Sequence, residues 1–85
     1  MKRKTPAFVY VLRCADGSLY TGWTTDLERR LQQHRASRAS KYTRSRLPVE
    51  LAASFPVSDR TAARRLEAKI KALPRAHKLK LLNHS

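Results

Sequence analysis

The chain has 85 residues, with 19 Lys+Arg against 6 Asp+Glu and a formal net charge of +13. That length allows one domain with one thin core and excludes dinucleotide-binding and barrel folds. So large a surplus of cations repels itself unless a polyanion lies across it, which points to nucleic acid. A membrane surface is not expected, because the chain has neither a large amphipathic apolar helix nor a lipidation signal.

The single cysteine, Cys14, excludes an internal disulfide framework and a zinc site built on paired thiolates, and fits a reducing compartment. Met1-Lys2-Arg3-Lys4 ahead of the apolar run Ala7 to Leu12 imitates a secretory leader, but Arg13 cuts the run short and no small-residue cleavage site follows. A cytoplasmic location is therefore expected. Residues 1–6 read as a flexible basic arm, 7–82 as a single domain and 83–85 as a tail.

Phe8 to Arg13 and Leu19 to Thr24 are rich in β-branched and aromatic residues and are separated by a turn containing Asp16-Gly17, which predicts a β-hairpin. A three-residue Ala15-Asp16-Gly17 loop with a left-handed Gly17 sets Leu12 against Tyr20 and Tyr10 against Gly22. Both tyrosines then share one face as diagonal neighbours. Thr25-Asp26-Leu27-Glu28 fits a capping box and predicts a helix to about Arg35, with Leu27 and Leu31 inward and Arg30 and His34 one turn apart on an adjoining face.

Arg35 to Arg46 has no acid and nothing large and apolar except Tyr42, and reads as a basic loop. Val49 to Phe55 predicts a third strand, with Pro56 ending the pairing. Ser58 or Asp59 caps a second helix whose stripe is Ala62, Ala63, Leu66, Ile70 and Leu73, closed by Pro74. Arg75 to Leu82 predicts a short basic helix. The expected fold is α+β, with a small three-stranded antiparallel sheet flanked by helices.

Few residues are suited to acid–base chemistry. Asp16, Asp26, Glu28, Glu50 and Asp59 lie at turns, helix starts or a strand border, whereas Glu67 lies beside the apolar stripe of its helix. One reading of Glu67 is an ion pair with Arg64 or Lys71. The other is a hold on Mg²⁺, which needs only one carboxylate beside waters and a substrate phosphate. His34, His77 and His84 lack the spacing of a helical metal site. Tyr42, with little to pack against, is a candidate for stacking on a base.

Phe8-Val9-Tyr10 and Tyr20-Thr21-Gly22 resemble the two signature strands of the GIY-YIG nuclease superfamily. Arg30, His34 and Glu67 follow in the order of that family's arginine, histidine and glutamate, and the likeness extends from about Ala7 to Leu82. Leu19 to Arg30 followed by Lys41-Tyr42-Thr43 resembles its short stand-alone bacterial branch. Two departures are Phe8 at the first glycine of the signature and Trp23 where the repair excinuclease branch has a lysine.

The resemblance implies phosphodiester hydrolysis with one divalent metal. Glu67 is the expected ligand for Mg²⁺ or Mn²⁺, and Arg30 the donor to the phosphoryl oxygens. Tyr10 is the first choice of general base, provided nearby cations lower its pKa, with Tyr20 and His34 orienting the set. Arg35, Arg38, Lys41, Arg44 and Arg46 are expected to grip phosphates, with Tyr42 among them. The partner is nucleic acid, DNA ahead of RNA, with little sequence preference unless a protein partner supplies it. The alternatives are a non-catalytic DNA- or RNA-binding module on the same fold, and a small basic ribosome- or nucleoid-associated protein.

Overall fold

A computed structural model describes residues 5–82. Most of the expected basic arm and the whole of the tail, with His84, lie outside the described residues. The elements are β1 (Ala7–Arg13), β2 (Leu19–Thr24), α1 (Leu27–Arg35), α2 (Lys41–Arg44), β3 (Glu50–Val57), α3 (Arg60–Ala72) and α4 (Arg75–Leu82). The strands form one antiparallel sheet in the order β2-β1-β3, the α+β arrangement expected.

The hairpin turns as its residues predict. Gly17 has φ +84°, its amide donates to the Cys14 carbonyl, and the Cys14 amide donates to Ser18. A left-handed residue there favours glycine, and the three-residue loop sets the register. Leu12 pairs with Tyr20, and Tyr10 with Gly22.

Because β1 is central, its alternate side chains feed two cores. Val9 and Val11 pack with Ala63, Ile70 and Leu82 under α3 and α4. Tyr10 and Leu12 pack on the other face with Cys14, Val49, Leu27, Leu31 and Leu47. The sheet is thus covered on both sides, and β2 is one of its two edges.

Four local expectations are corrected. The cap of α1 is Asp26, not Thr25: its carboxylate accepts from the Arg29 amide, and the Asp26 amide is itself held by Thr24 Oγ1. Glu28 therefore sits within the first turn, where its charge favours the helix dipole, rather than closing a capping box. The basic loop contains α2, nucleated by Ser40, whose hydroxyl accepts from the amides of Tyr42 and Thr43.

Pro56 does not end β3 but pairs opposite Phe8, because β3 is an edge strand and an edge tolerates a residue with no N–H. The same strand carries a register shift opposite Val11 and Leu12. Finally, α3 stops at Ala72 and Leu73 is its extended C-cap, so the apolar stripe ends at Ile70. Among the described residues no helix is long and apolar enough to cross a membrane.

Candidate active site

The site is built around a glycine. Gly22 on β2 faces Tyr10 on β1, and a Cβ at Gly22 would lie 2.6 Å from the Tyr10 hydroxyl and 2.8 Å from its Cζ. The phenol therefore lies across β2 in space that only a residue without a side chain leaves open. Tyr20 stands beside it, with ring centroids 6.4 Å apart, so both rings share one face.

His34, on the last turn of α1, is fully buried against both tyrosines, with ring centroids 5.6 Å from Tyr10 and 5.2 Å from Tyr20. Nε2 lies 2.8 Å from the Tyr10 hydroxyl, and Nδ1 lies 2.9 Å from Thr43 Oγ1. Burial, reinforced by the Arg30 charge, lowers the His34 pKa, so the imidazole is neutral at pH 7 and has one N–H to give. Thr43 donates its own proton to the Ser40 carbonyl at 3.4 Å. The directions follow in sequence: Nδ1–H donates to Thr43, which leaves Nε2 bare to accept the Tyr10 O–H.

Tyr10 is 1% exposed, and burial raises its pKa, with the neighbouring Tyr20 and Glu67 adding to the rise and Arg30 opposing it. In the chain by itself this direction runs against the phenolate expected of Tyr10. The desolvation of a buried phenolate outweighs one guanidinium. Tyr20 keeps partial access to solvent.

Glu67 lies on α3, in the helix layer that packs on the face of the sheet opposite the tyrosines, and Arg30 lies on α1. The Glu67 carboxylate lies 3.4 Å from Lys71 Nζ, so the ion pair read as one alternative is present. Among the described residues no group of three or more His, Cys, Asp or Glu could hold a metal. A single hard carboxylate, 22% exposed, fits instead a cation of Mg²⁺ or Mn²⁺ type that keeps waters and shares a substrate phosphate.

The remaining candidates divide. Tyr42 reaches the cluster, its ring centroid 5.8 Å from Tyr20, but Arg46 lies over the ring at 3.9 Å and also pairs with Asp16 at 3.0 Å. The stacking surface of Tyr42 thus carries a guanidinium already. Lys41 and Arg44 are exposed on α2, Arg38 lines a hollow with Arg29, and Arg35 lines another with Leu47, Pro48 and Val49. Sequence reading missed two contributors, Gly22 and Thr43. The predicted pairing of Tyr10 with Gly22 was a signal for the first, but nothing marked Thr43 as a partner of His34.

The family described as the GIY-YIG catalytic domain matches residues 6–80. The chain belongs to the GIY-YIG family. It thus carries a nuclease-type catalytic domain, and the two tyrosine strands are that family's signature strands.

The relatives are proteins of similar length that carry the name UPF0213. A UPF0213 protein of Streptococcus agalactiae is 50% identical over 76 residues, covering 89% of this chain and 86% of the relative. The UPF0213 protein YhbQ of Escherichia coli is 46% identical over 81 residues, covering 95% and 81%. The solution NMR structure of a UPF0213 protein from Bacillus halodurans superposes with a TM-score of 0.62 at 40% identity, over 94% of this chain and 85% of that one. A solution NMR structure of a protein from E. faecalis superposes at 0.64 and 38%, over 99% and 90%.

Proposed function

We propose that this chain is a divalent-metal-dependent endonuclease that hydrolyses phosphodiester bonds in DNA with little intrinsic sequence preference. The observation that carries the reading is the pair of phenols on one strand face, Tyr10 lying over Gly22 beside Tyr20 and His34, in a chain that matches the GIY-YIG catalytic domain. A phosphoryl donor fork, a hard anionic ligand and two phenols at one strand edge are the groups that phosphodiester hydrolysis uses.

Glu67 would hold one Mg²⁺ or Mn²⁺ ion, which supplies charge neutralisation at the phosphoryl group and at the departing oxygen. Arg30 donates to the phosphoryl oxygens as charge accumulates there. Tyr20, the phenol with solvent access, acts as the base in its phenolate form, taking the proton of the attacking water as the new P–O bond forms and the bond to the departing oxygen breaks, while that oxygen takes its proton from solvent. Tyr10 stays protonated, because its O–H is given to a neutral His34 and its burial disfavours the phenolate. The chain Tyr10–His34–Thr43 is therefore a positioning device that fixes α1, and with it Arg30, against the strands.

Lys41 and Arg44 on α2, with Arg35 and Arg38 before it, are phosphate contacts that set position rather than sequence. Arg46 joins them only by leaving Asp16. Phosphate contacts carry no sequence information of their own, so specificity comes from substrate shape or from a protein partner. A second reading, a non-catalytic nucleic-acid-binding module, is favoured by the Glu67–Lys71 pair, which already neutralises the carboxylate.

Incubation with single-stranded, duplex, nicked and branched DNA and with RNA, in Mg²⁺, in Mn²⁺ and in chelator, separates the two. The nuclease reading expects metal-dependent cleavage that is lost in Glu67→Ala and Arg30→Ala while binding by Glu67→Ala survives. Binding without cleavage on every substrate supports the module instead.

A further inference from the structure

Two hollows meet at Arg30. One, of about 320 Å³, is lined by Trp23, Thr24, Thr25, Arg30 and Arg60, and the other, of about 290 Å³, shares Thr24, Thr25 and Arg30 and continues past Arg29 along α1. They open where the end of β2 passes between the first turns of α1 and α3. Arg60 is the first residue of α3, and Arg64, one turn later, holds its guanidinium 5.7 Å from the centre of the Trp23 ring. The indole gives that long side chain a fixed seat.

Arg60 and Arg64 lie on one helical ridge, which continues through Glu67 to Lys71, about 16 Å from end to end at 1.5 Å per residue. Their electrostatic states differ. Arg13, Arg46 and Lys71 each pair with a carboxylate, whereas Arg30, Arg60 and Arg64 form no ion pair among the described residues. Asp26, beside the second hollow, caps α1. Two guanidiniums, Arg30 and Arg60, line one polar hollow, with that of Arg64 beside its Trp23 wall, and such a cluster repels itself unless an anion lies between its members. Two of them stand on the ridge that leads to the carboxylate of the reaction site.

We infer that the hollow lined by Arg30 and Arg60, with Arg64 seated on Trp23 at its wall, is a second phosphate subsite, taking the phosphodiester group next to the one that is cut. The inference rests on the proposed function in one respect: it takes Arg30 as facing the scissile phosphate. Arg30 then borders both phosphates, and the nucleic-acid strand runs along α3 from Arg60 toward Glu67. Arg60 and Arg64 are binding residues of this track, separate from the cations of α2 on the other side of the sheet.

The test is fluorescence anisotropy of labelled single-stranded and duplex oligonucleotides over a series of NaCl concentrations, in chelator so that no cleavage occurs. Each lost phosphate contact lowers the slope of log affinity against log salt by about 0.7 on a single strand and 0.9 on a duplex. The double variant Arg60→Gln/Arg64→Gln, which empties this one subsite, should therefore lower it by about 0.7 or about 0.9. The matched variant Arg65→Gln/Lys69→Gln, on the opposite side of α3, should leave it unchanged.

A slope equal to wild type in the first variant, an equal fall in both, or no binding of either probe by wild-type protein would overturn the subsite. Because this measurement needs no catalysis, a wild-type protein that binds in this way yet never cleaves DNA would remove the nuclease reading and leave the subsite standing.

Discussion

Replacing Gly22 by alanine perturbs the centre of the site with one carbon atom. The new Cβ would stand 2.6 Å from the Tyr10 hydroxyl, 2.8 Å from its Cζ and 3.2 Å from Tyr20 Cε2, well inside van der Waals contact. Tyr10 has little room to yield, being 1% exposed and hydrogen-bonded to His34. If the ring stays, overpacking costs about 1–3 kcal/mol. If it withdraws, His34 Nε2 is left buried without a partner, at about 1–3 kcal/mol.

Either route gives a loss of about 2 kcal/mol, or roughly 8–16 °C in Tm for a domain of this size. Thermal unfolding followed by circular dichroism, on Gly22→Ala, Tyr10→Phe and the double variant, measures it. Tyr10→Phe removes the closest opposing atom and frees the ring from His34, so the double variant should lose less than the sum of the singles. A wild-type Tm for Gly22→Ala, or effects that add within about 0.5 kcal/mol, would refute the close approach as the reason for glycine.

The division of labour between the phenols predicts that Tyr20→Phe lowers the cleavage rate by about 10²–10⁴-fold. Tyr10→Phe should lower it far less, and the reverse result would return the base to Tyr10. The buried neutral His34 predicts that stability is lost toward acid. Its folded pKa lies below its unfolded value near 6.5, so the unfolded chain binds the extra proton and stability falls as pH drops below about 6.5, by up to about 1.4 kcal/mol per pH unit. Urea unfolding at pH 7.5 and 5.5 should show this slope in wild type and a flatter one in His34→Gln; equal slopes would contradict it.

What could be read from the residues was local or periodic. Ala15-Asp16-Gly17 has one loop geometry compatible with two tyrosines on one face, and that geometry forms. The apolar stripe of α3 likewise places Ala63 and Ile70 in the core and brings Glu67 beside it. What escaped depends on tertiary contact. The helix α2 has only four residues, too short to announce itself by period, and is held by Ser40 and by Thr43 buried under His34. The cap of α1 moved by one residue because Asp26 offers the stronger acceptor and Thr24 fixes its amide. The cations around Tyr10 were visible in the sequence, whereas the burial that raises its pKa was not.

The central claim is that one carboxylate at the β2 edge holds the reaction's metal. Electron paramagnetic resonance of Mn²⁺ titrated into the protein, in the presence of an oligonucleotide whose phosphodiesters are replaced by slowly cleaved phosphorothioates, tests it most directly. The account predicts one bound ion per wild-type chain, lost in Glu67→Gln, while Lys71→Gln binds at least as tightly because the competing ammonium is gone. Undiminished Mn²⁺ binding by a folded Glu67→Gln protein would contradict it.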